Sequence, residues 1–221
     1  MDVTAITFPA GWVAGSWALA VPLLLAALRV APWPRFRASE PVHVWYGSIF
    51  CLVVLWSIQA TVGEGFTFHL LGVAAFTLLA GAPLALAGTA VAVAVNIGLR
   101  DGLWANAALV WLAMAAVPVG ATWLVLRLVE RALPANFFVY IFVGAFFGAA
   151  LALLAAGLAG AVLLTLAAGR PPELVFGEYL PYLLYLAFGE ATLTGMALTL
   201  AVAYRPQWVA TFDDARYLKN R

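Results

Sequence analysis

The sequence predicts an all-α polytopic membrane protein, and its composition and segment lengths support this prediction. Of the 221 residues, 66% are hydrophobic and only 10% are charged, whereas soluble domains carry about a quarter charged residues. The mean hydropathy is +1.02. The charge-poor stretches are long enough for helices of about 20 residues each. They lack the short alternating pattern of a membrane β-barrel.

Charge and cysteine content exclude several classes of protein. The formal net charge is +1, so we expect membrane lipid and no nucleic acid as a partner. The single cysteine, Cys51, excludes an internal disulfide and a cysteine-based metal cluster. The chain has no H-E-x-x-H motif and no phosphate loop of the G-x-x-x-x-G-K type. We therefore expect no enzyme, and any uphill transport needs an energising partner or a coupling ion.

The apolar stretches predict a bundle of about seven membrane segments over residues 1–204, followed by a short charged tail over residues 205–221. In chain order the segments cover residues 12–30, 42–62, 70–80, 83–98, 103–128, 135–168 and 177–204. The third would be roughly 16 Å long, about half of the hydrocarbon core. It is therefore a short crossing, a tilted one or a re-entrant one, and length alone also permits a single kinked helix over 70–98.

The arginine and lysine residues predict the orientation, because basic residues accumulate on the cytoplasmic side. With seven crossings and the N-terminus outside, only Arg100 and Arg170 fall outside. A single kinked crossing over 70–98 would divide the basic residues almost evenly. In the seven-crossing arrangement, nine basic residues lie in the cytoplasm: Arg29, Arg35, Arg37, Arg127, Arg131, Arg205, Arg216, Lys219 and Arg221. Five tryptophans near predicted helix ends are interpreted as interfacial anchors: Trp12, Trp33, Trp45, Trp104 and Trp208.

The polar stretch from Gly63 to Gly72 is the strongest candidate for a binding site. It contains Glu64, Thr67 and His69, and by the orientation above it faces the outside. Loop backbone in a bilayer is tolerated only at the surface or where it lines a protein-walled cavity. Imidazole binds zinc, copper, nickel and cobalt, and carboxylate adds a harder ligand. His69 with Glu64 therefore indicates a metal site, the alternative being an interfacial histidine hydrogen-bonded to a backbone carbonyl.

Other polar and small residues lie at membrane depth. Glu190 falls near the middle of the seventh segment, where an ionisable group costs about 3 kcal/mol. It should face the bundle, either as a functional residue or as a carboxyl bonded to a threonine or asparagine side chain. Asn106, one turn into the fifth segment, could reach the His69 region or bond another helix. Gly144 and Gly148 form a G-x-x-x-G pattern that predicts close helix packing and could also serve in docking.

Three stretches of the chain carry a resemblance to a known family. They are Phe8-Pro-Ala-Gly-Trp12, His69-Leu-Leu-Gly72 with Leu79-Ala-Gly-Ala-Pro83, and Glu190-Ala-Thr-Leu-Thr-Gly195 running to Tyr204-Arg-Pro206. Together they resemble the CbiM-type membrane subunits of cobalt and nickel uptake systems, the substrate-binding components of energy-coupling-factor ABC transporters. The resemblance implies a divalent transition metal as substrate, the bacterial inner membrane, and a separate transmembrane coupling protein with ATPase subunits as partners.

The resemblance also implies a ligand set. In that family the metal is held by the N-terminal amine, a histidine at position two and the loop histidine. Here these positions are the amine of Met1, the carboxylate of Asp2 and the imidazole of His69. Asp2 offers oxygen where the family has imidazole nitrogen, and this changes the preference among metals. Residues placed to support the site or line a pathway are Glu64, Thr67, Asn106 and Glu190.

Two other functions stay open on the sequence. The aspartate at position two also fits an accessory subunit that supports a larger membrane complex or delivers metal to it. A buried Glu190 also fits a proton-linked carrier, for which uptake would depend on pH and need no ATPase.

Overall fold

Five long apolar helices form the frame of the protein in its computed structural model, which describes residues 6–63, 65–213 and 217. Each has the length and composition to cross a membrane. They are α1 (Ala10–Val30), α4 (Ala82–Leu99), α5 (Trp104–Ala132), α6 (Val139–Ala167) and α7 (Pro172–Tyr204). Between α1 and α4 lie α2 (Ser39–Ser57) and the short α3 (Val73–Ala80). The predicted all-α membrane class is confirmed, and a helix lies at each predicted segment.

A β-hairpin lies where the end of the second segment and the polar stretch after it were expected. β1 (Ala60–Val62) pairs antiparallel with β2 (Phe66–Phe68). The turn glycines Gly63 and Gly65 have φ values of 57° and 89°, which glycine adopts without steric cost. Phe66 and Phe68 both pack on Tyr179, with ring centroids 5.5 and 5.4 Å apart. A buried aromatic face thus holds the hairpin on α7. Because α2 ends at Ser57 and β1 follows, the expectation that the second segment runs as a helix to residue 62 was wrong.

Helix α3 and the chain before it form a broken membrane element. With eight residues, α3 is roughly 12 Å long, too short for a hydrocarbon core of about 30 Å. The seven residues 66–72 that precede it are non-helical and span at most roughly 23 Å, which is the upper limit of what they add to the length of α3. Gly72 and Gly81, with φ values of 67° and 85°, bound α3 at its two ends.

The segment after α7 closes the bundle beneath the C-terminal end of α3. The amide of Ala210 donates to the carbonyl oxygen of Leu79 at 2.9 Å. Thr211 donates to the carbonyl of Leu78 twice, from its amide at 3.3 Å and from Oγ1 at 2.8 Å. The hydroxyl of Tyr140 lies 2.7 Å from Thr211 Oγ1 and is the donor there, because a threonine hydroxyl has a single proton. Residues 209–212 therefore pack against the bundle.

The described arginines divide between the two ends of the bundle. At the hairpin end, Arg100 donates to Gln59 Oε1 at 2.8 Å, and the guanidinium of Arg170 lies 6.0 Å from the ring centroid of Phe66. The opposite end, which we call the tail end, contains the starts of α2, α4 and α6 and the ends of α3 and α7. Six described arginines lie at or near the tail end: Arg29, Arg35, Arg37, Arg127, Arg131 and Arg205.

Two details of packing differ from expectation. Gly144 and Gly148 are both buried within the bundle, and a Cβ at Gly148 would lie 3.4 Å from Val125 Cγ1. Gly148 therefore packs closely against α5, as the pattern predicts, whereas a Cβ at Gly144 would meet no atom within 4 Å. Trp45 is buried and donates from Nε1 to the carbonyl of Leu84 at 2.9 Å, because Phe36 covers its ring. It was wrongly interpreted as an interfacial anchor.

Candidate metal centre

His69 lies inside the bundle, directly after β2, and its residue surface is only 5% exposed. Its Nδ1 is 3.0 Å from the carbonyl oxygen of Leu70. Because a carbonyl oxygen only accepts, Nδ1 carries the proton and donates it. In neutral imidazole this tautomer places the lone pair on Nε2, the atom with which the ring then coordinates a metal. Trp56 packs beside it, with ring centroids 6.1 Å apart, so the other segments of the bundle form walls around this side chain.

Glu190 holds the backbone that follows His69. Its Oε2 accepts the amide of Leu71 at 2.8 Å, and its Oε1 accepts the amide of Gly72 at 2.7 Å. Glu190 is 2% exposed and lies near the middle of the 33 residues of α7. The segment 69–72 therefore reaches mid-depth of the bundle, where non-helical backbone needs protein partners. Glu190 faces the bundle as predicted, but its partners are backbone amides and not a threonine or asparagine side chain.

Trp56 also fixes this segment, and Arg100 in turn bonds the end of α2 that carries Trp56; both residues were missed at the sequence level. Trp56 donates from Nε1 to the carbonyl of Leu71 at 2.8 Å, so both backbone groups of Leu71 are bonded. Arg100 donates to the carbonyls of Trp56 and Ser57 at 3.1 and 3.2 Å, which satisfies acceptors at the end of α2. The available signal for Arg100 was its isolation from the other basic residues, whereas nothing set Trp56 apart from eight other tryptophans.

Asn106 ties the N-terminal segment to the bundle. It is 1% exposed, and its Nδ2 donates to the carbonyl of Ile6 at 2.7 Å. Five residues precede Ile6, and five residues of extended chain span at most roughly 18 Å. This bond therefore limits how far the N-terminal amine can lie from the hairpin end of the bundle.

The remaining predicted site residues are not brought together by the described part of the chain. Thr67 lies on β2, and its Oγ1 is 3.3 Å from Oγ1 of Thr61 across the hairpin. Met1, Asp2 and Glu64 lie outside the described residues. Within residues 6–63, 65–213 and 217 no three or more histidine, cysteine, aspartate and glutamate side chains form a group that could hold a metal ion.

Two cavities differ in what they offer a cation. A cavity of about 20 Å³ beside His69 is lined by Phe68, Met114 and Tyr179, among others. Met114 lies in a π-helical turn, Leu112–Ala116, which the sequence did not predict. A groove of about 770 Å³ between α2, α3 and α7 is almost entirely apolar and is not lined by His69. Its lining includes His43 and Cys51, but no group of three or more histidine, cysteine, aspartate and glutamate side chains forms among the described residues there.

Long apolar helices around a broken membrane element that carries a buried histidine define a polytopic membrane protein of the transporter class. The chain belongs to the CbiM family, described as the cobalt uptake substrate-specific transmembrane region, which it matches over residues 3–208. The family and the structures similar to this chain are transporters and not enzymes.

Two solved structures are similar to this chain over most of its length. A crystal structure of a transition metal transporter superposes with a TM-score of 0.73 at 18% identity, covering 92% of each chain. A truncated transition metal transporter superposes with a TM-score of 0.71 at 15% identity, covering 87% of this chain and 94% of the other. Identities this low show a shared fold. No curated protein sequence matches the chain.

Proposed function

We propose that the chain is the substrate-binding membrane subunit of an energy-coupling-factor ABC transporter that takes up a divalent transition metal, cobalt or nickel. The buried His69 is the observation that carries the proposal. An imidazole of fixed tautomer at mid-depth, 5% exposed, in a segment whose backbone is bonded by neighbouring helices, is a prepared ligand and not an interfacial side chain. Membership of the CbiM family supports metal as the cargo.

The proposed ligands are Nε2 of His69, the N-terminal amine of Met1 and the carboxylate of Asp2. The bond from Asn106 to Ile6 supports this set, because it holds the N-terminal segment at the hairpin end of the bundle. This set has two nitrogen ligands and one oxygen ligand. It is therefore harder, in the hard–soft sense of metal ligands, than the family's set of one amine and two imidazoles. Glu64 at the hairpin turn and Thr67 on β2 would line the approach to it.

The sequence motifs support the proposed partners, and the distribution of the described arginines supports the proposed orientation. The sequence has no phosphate-binding loop, so the energy would come from ATPase subunits through a separate transmembrane coupling protein. The gathering of described arginines at the tail end supports a cytoplasmic location for that end. The hairpin end, with His69 and the N-terminus, would then face outward across the bacterial inner membrane, and cargo would enter there.

Metal binding to the purified protein in detergent tests the proposal. Wild type, His69→Ala and His43→Ala are each offered Co²⁺, Ni²⁺ and Zn²⁺, and bound metal is read by elemental analysis and titration. His43→Ala is the matched control, because His43 is the other histidine and lies exposed near the start of α2 at the tail end. We expect near-stoichiometric binding to wild type and His43→Ala, and loss of that binding in His69→Ala. Equal binding by His69→Ala, or none by wild type, would refute the proposal.

A further inference from the structure

We propose that Glu190 is a positioning residue that sets the orientation of the His69 ring through the peptide group between Leu70 and Leu71. The inference rests on the proposed function and assigns a role to a side chain on another helix. Three bonds carry it: Nδ1 of His69 to the Leu70 carbonyl at 3.0 Å, and the amides of Leu71 and Gly72 to the Glu190 carboxylate at 2.8 and 2.7 Å.

The first two of these bonds share one rigid unit. The carbonyl of Leu70 and the amide of Leu71 belong to the same planar peptide group, in which the C=O and N–H point in opposite directions. When Glu190 fixes the N–H, it also fixes the C=O that accepts the proton of His69 Nδ1. The peptide thus links the Glu190 carboxylate to His69. The ring N–H itself bonds a carbonyl directly, as metal-binding histidines usually bond a carbonyl or a carboxylate.

The charge of Glu190 adds to this geometric effect. A carboxylate that accepts from the Leu71 N–H polarises the peptide and makes the Leu70 oxygen a stronger acceptor, because bonded groups in a low-dielectric interior strengthen one another. A stronger bond at Nδ1 raises the basicity of the ring as a metal ligand. Both carboxylate oxygens are committed to backbone amides, which fits a fixed support better than a group that carries protons along a pathway.

The number of acceptor oxygens explains why position 190 needs glutamate and not glutamine. An ionised carboxylate presents two acceptor oxygens, one for each amide, whereas glutamine has one acceptor oxygen and an NH₂ group that would face the second N–H. Trp56 already occupies the Leu71 carbonyl, so the segment cannot adjust freely to satisfy the amide that glutamine leaves unpaired. Glu190→Gln should therefore be intermediate between wild type and Glu190→Ala.

Co²⁺ binding by wild type, Glu190→Gln, Glu190→Ala and Thr194→Val tests the inference. Thr194 is the matched control, because it is buried on the same helix one turn further on. Loss of a partner outside the ligand shell typically weakens metal binding about 10–100-fold, which we expect for Glu190→Ala, with a smaller loss for Glu190→Gln and none for Thr194→Val. The visible d–d absorption of bound Co²⁺ should change in the Glu190 variants, a signature that lowered stability alone would not produce.

Hydrogen exchange of the metal-free protein gives a readout that does not depend on cargo. The amides of Leu71 and Gly72 should exchange faster in Glu190→Gln than in wild type, while amides in the interior of α6 stay unchanged. Unaltered exchange at both amides would overturn the inference whether or not metal binds. Unaltered Co²⁺ affinity and spectrum in both Glu190 variants, with His69→Ala inactive in binding, would also overturn it and leave the proposed function intact.

Discussion

A single side-chain bond, from Asn106 to Ile6, limits how far the residues before Ile6 can reach from the bundle. Replacing Asn106 by aspartate keeps the shape but puts an acceptor where the Ile6 carbonyl needs a donor. We expect the N-terminal segment to detach and Co²⁺ or Ni²⁺ affinity to fall by about tenfold or more, because a chelating amine and carboxylate lose their prepared position. Titration of the purified variant measures this.

Asn136 provides the control for that experiment. Its Oδ1 accepts the amide of Phe138 at 2.7 Å near the start of α6, at the tail end. Asn136→Asp keeps this acceptor and should leave metal affinity unchanged. If Asn106→Asp binds metal as tightly as Asn136→Asp, the N-terminal segment contributes no ligand and the ligand set proposed for Met1 and Asp2 is wrong.

At the level of residues, the sequence could identify the unusual groups but not their partners. His69 and Glu190 stood out because ionisable groups are rare at membrane depth. Their connection could not be predicted, because Glu190 lies 118 and 119 residues from the two amides that it accepts, and a backbone amide has no signature in the sequence. The role of Trp56 was hidden for the same reason, since its partner is a backbone carbonyl.

Thr211 bonds the C-terminal end of α3 from outside that helix. Thr211→Val keeps the volume and the amide bond to the Leu78 carbonyl but removes the Oγ1 bond to that carbonyl and the acceptor for the Tyr140 hydroxyl. A buried hydroxyl without its partner costs about 1–3 kcal/mol. We therefore expect a lower Tm in detergent, whereas Thr199→Val, which loses only a bond to Gly195 within α7, should change it less.

A double-mutant cycle separates this network from simple loss of packing. If Thr211 and Tyr140 form one unit, Tyr140→Phe combined with Thr211→Val should cost less than the sum of the two single changes. Strictly additive changes in Tm would mean that the two hydroxyls do not interact.

At the level of elements, the apolar pattern and the segment lengths predicted the helices, but nothing in the sequence predicted the pairing of β1 with β2. The shortness of the third segment was evident from Gly81 and Pro83, which end one helix and begin the next. The hairpin was missed because its strands have three residues each and are stabilised by Tyr179, which is more than a hundred residues away in the chain. The π-helical turns, such as Leu112–Ala116, arise from packing and leave no pattern.

The orientation of the whole molecule is testable with one pair of cysteines in a Cys51→Ser background. Thr61→Cys reports on the exposed side of the hairpin end, and Ser39→Cys on the exposed start of α2 at the tail end. Because the described arginines gather at the tail end, we expect a membrane-impermeant maleimide to label Thr61→Cys in intact cells. Ser39→Cys should react only after permeabilisation, and the reverse pattern would invert the proposed topology.

The broken membrane element also determines how far an ion bound at His69 would be from the tail end of the bundle. An ion on His69 would lie level with Glu190, near the middle of α7, with the bilayer half crossed. The part still ahead is the length of α3, eight residues or roughly 12 Å. On the proposed function, binding would therefore coincide with the loss of the ion's water shell at about half depth, and a displacement of roughly 12 Å toward the tail end would remain.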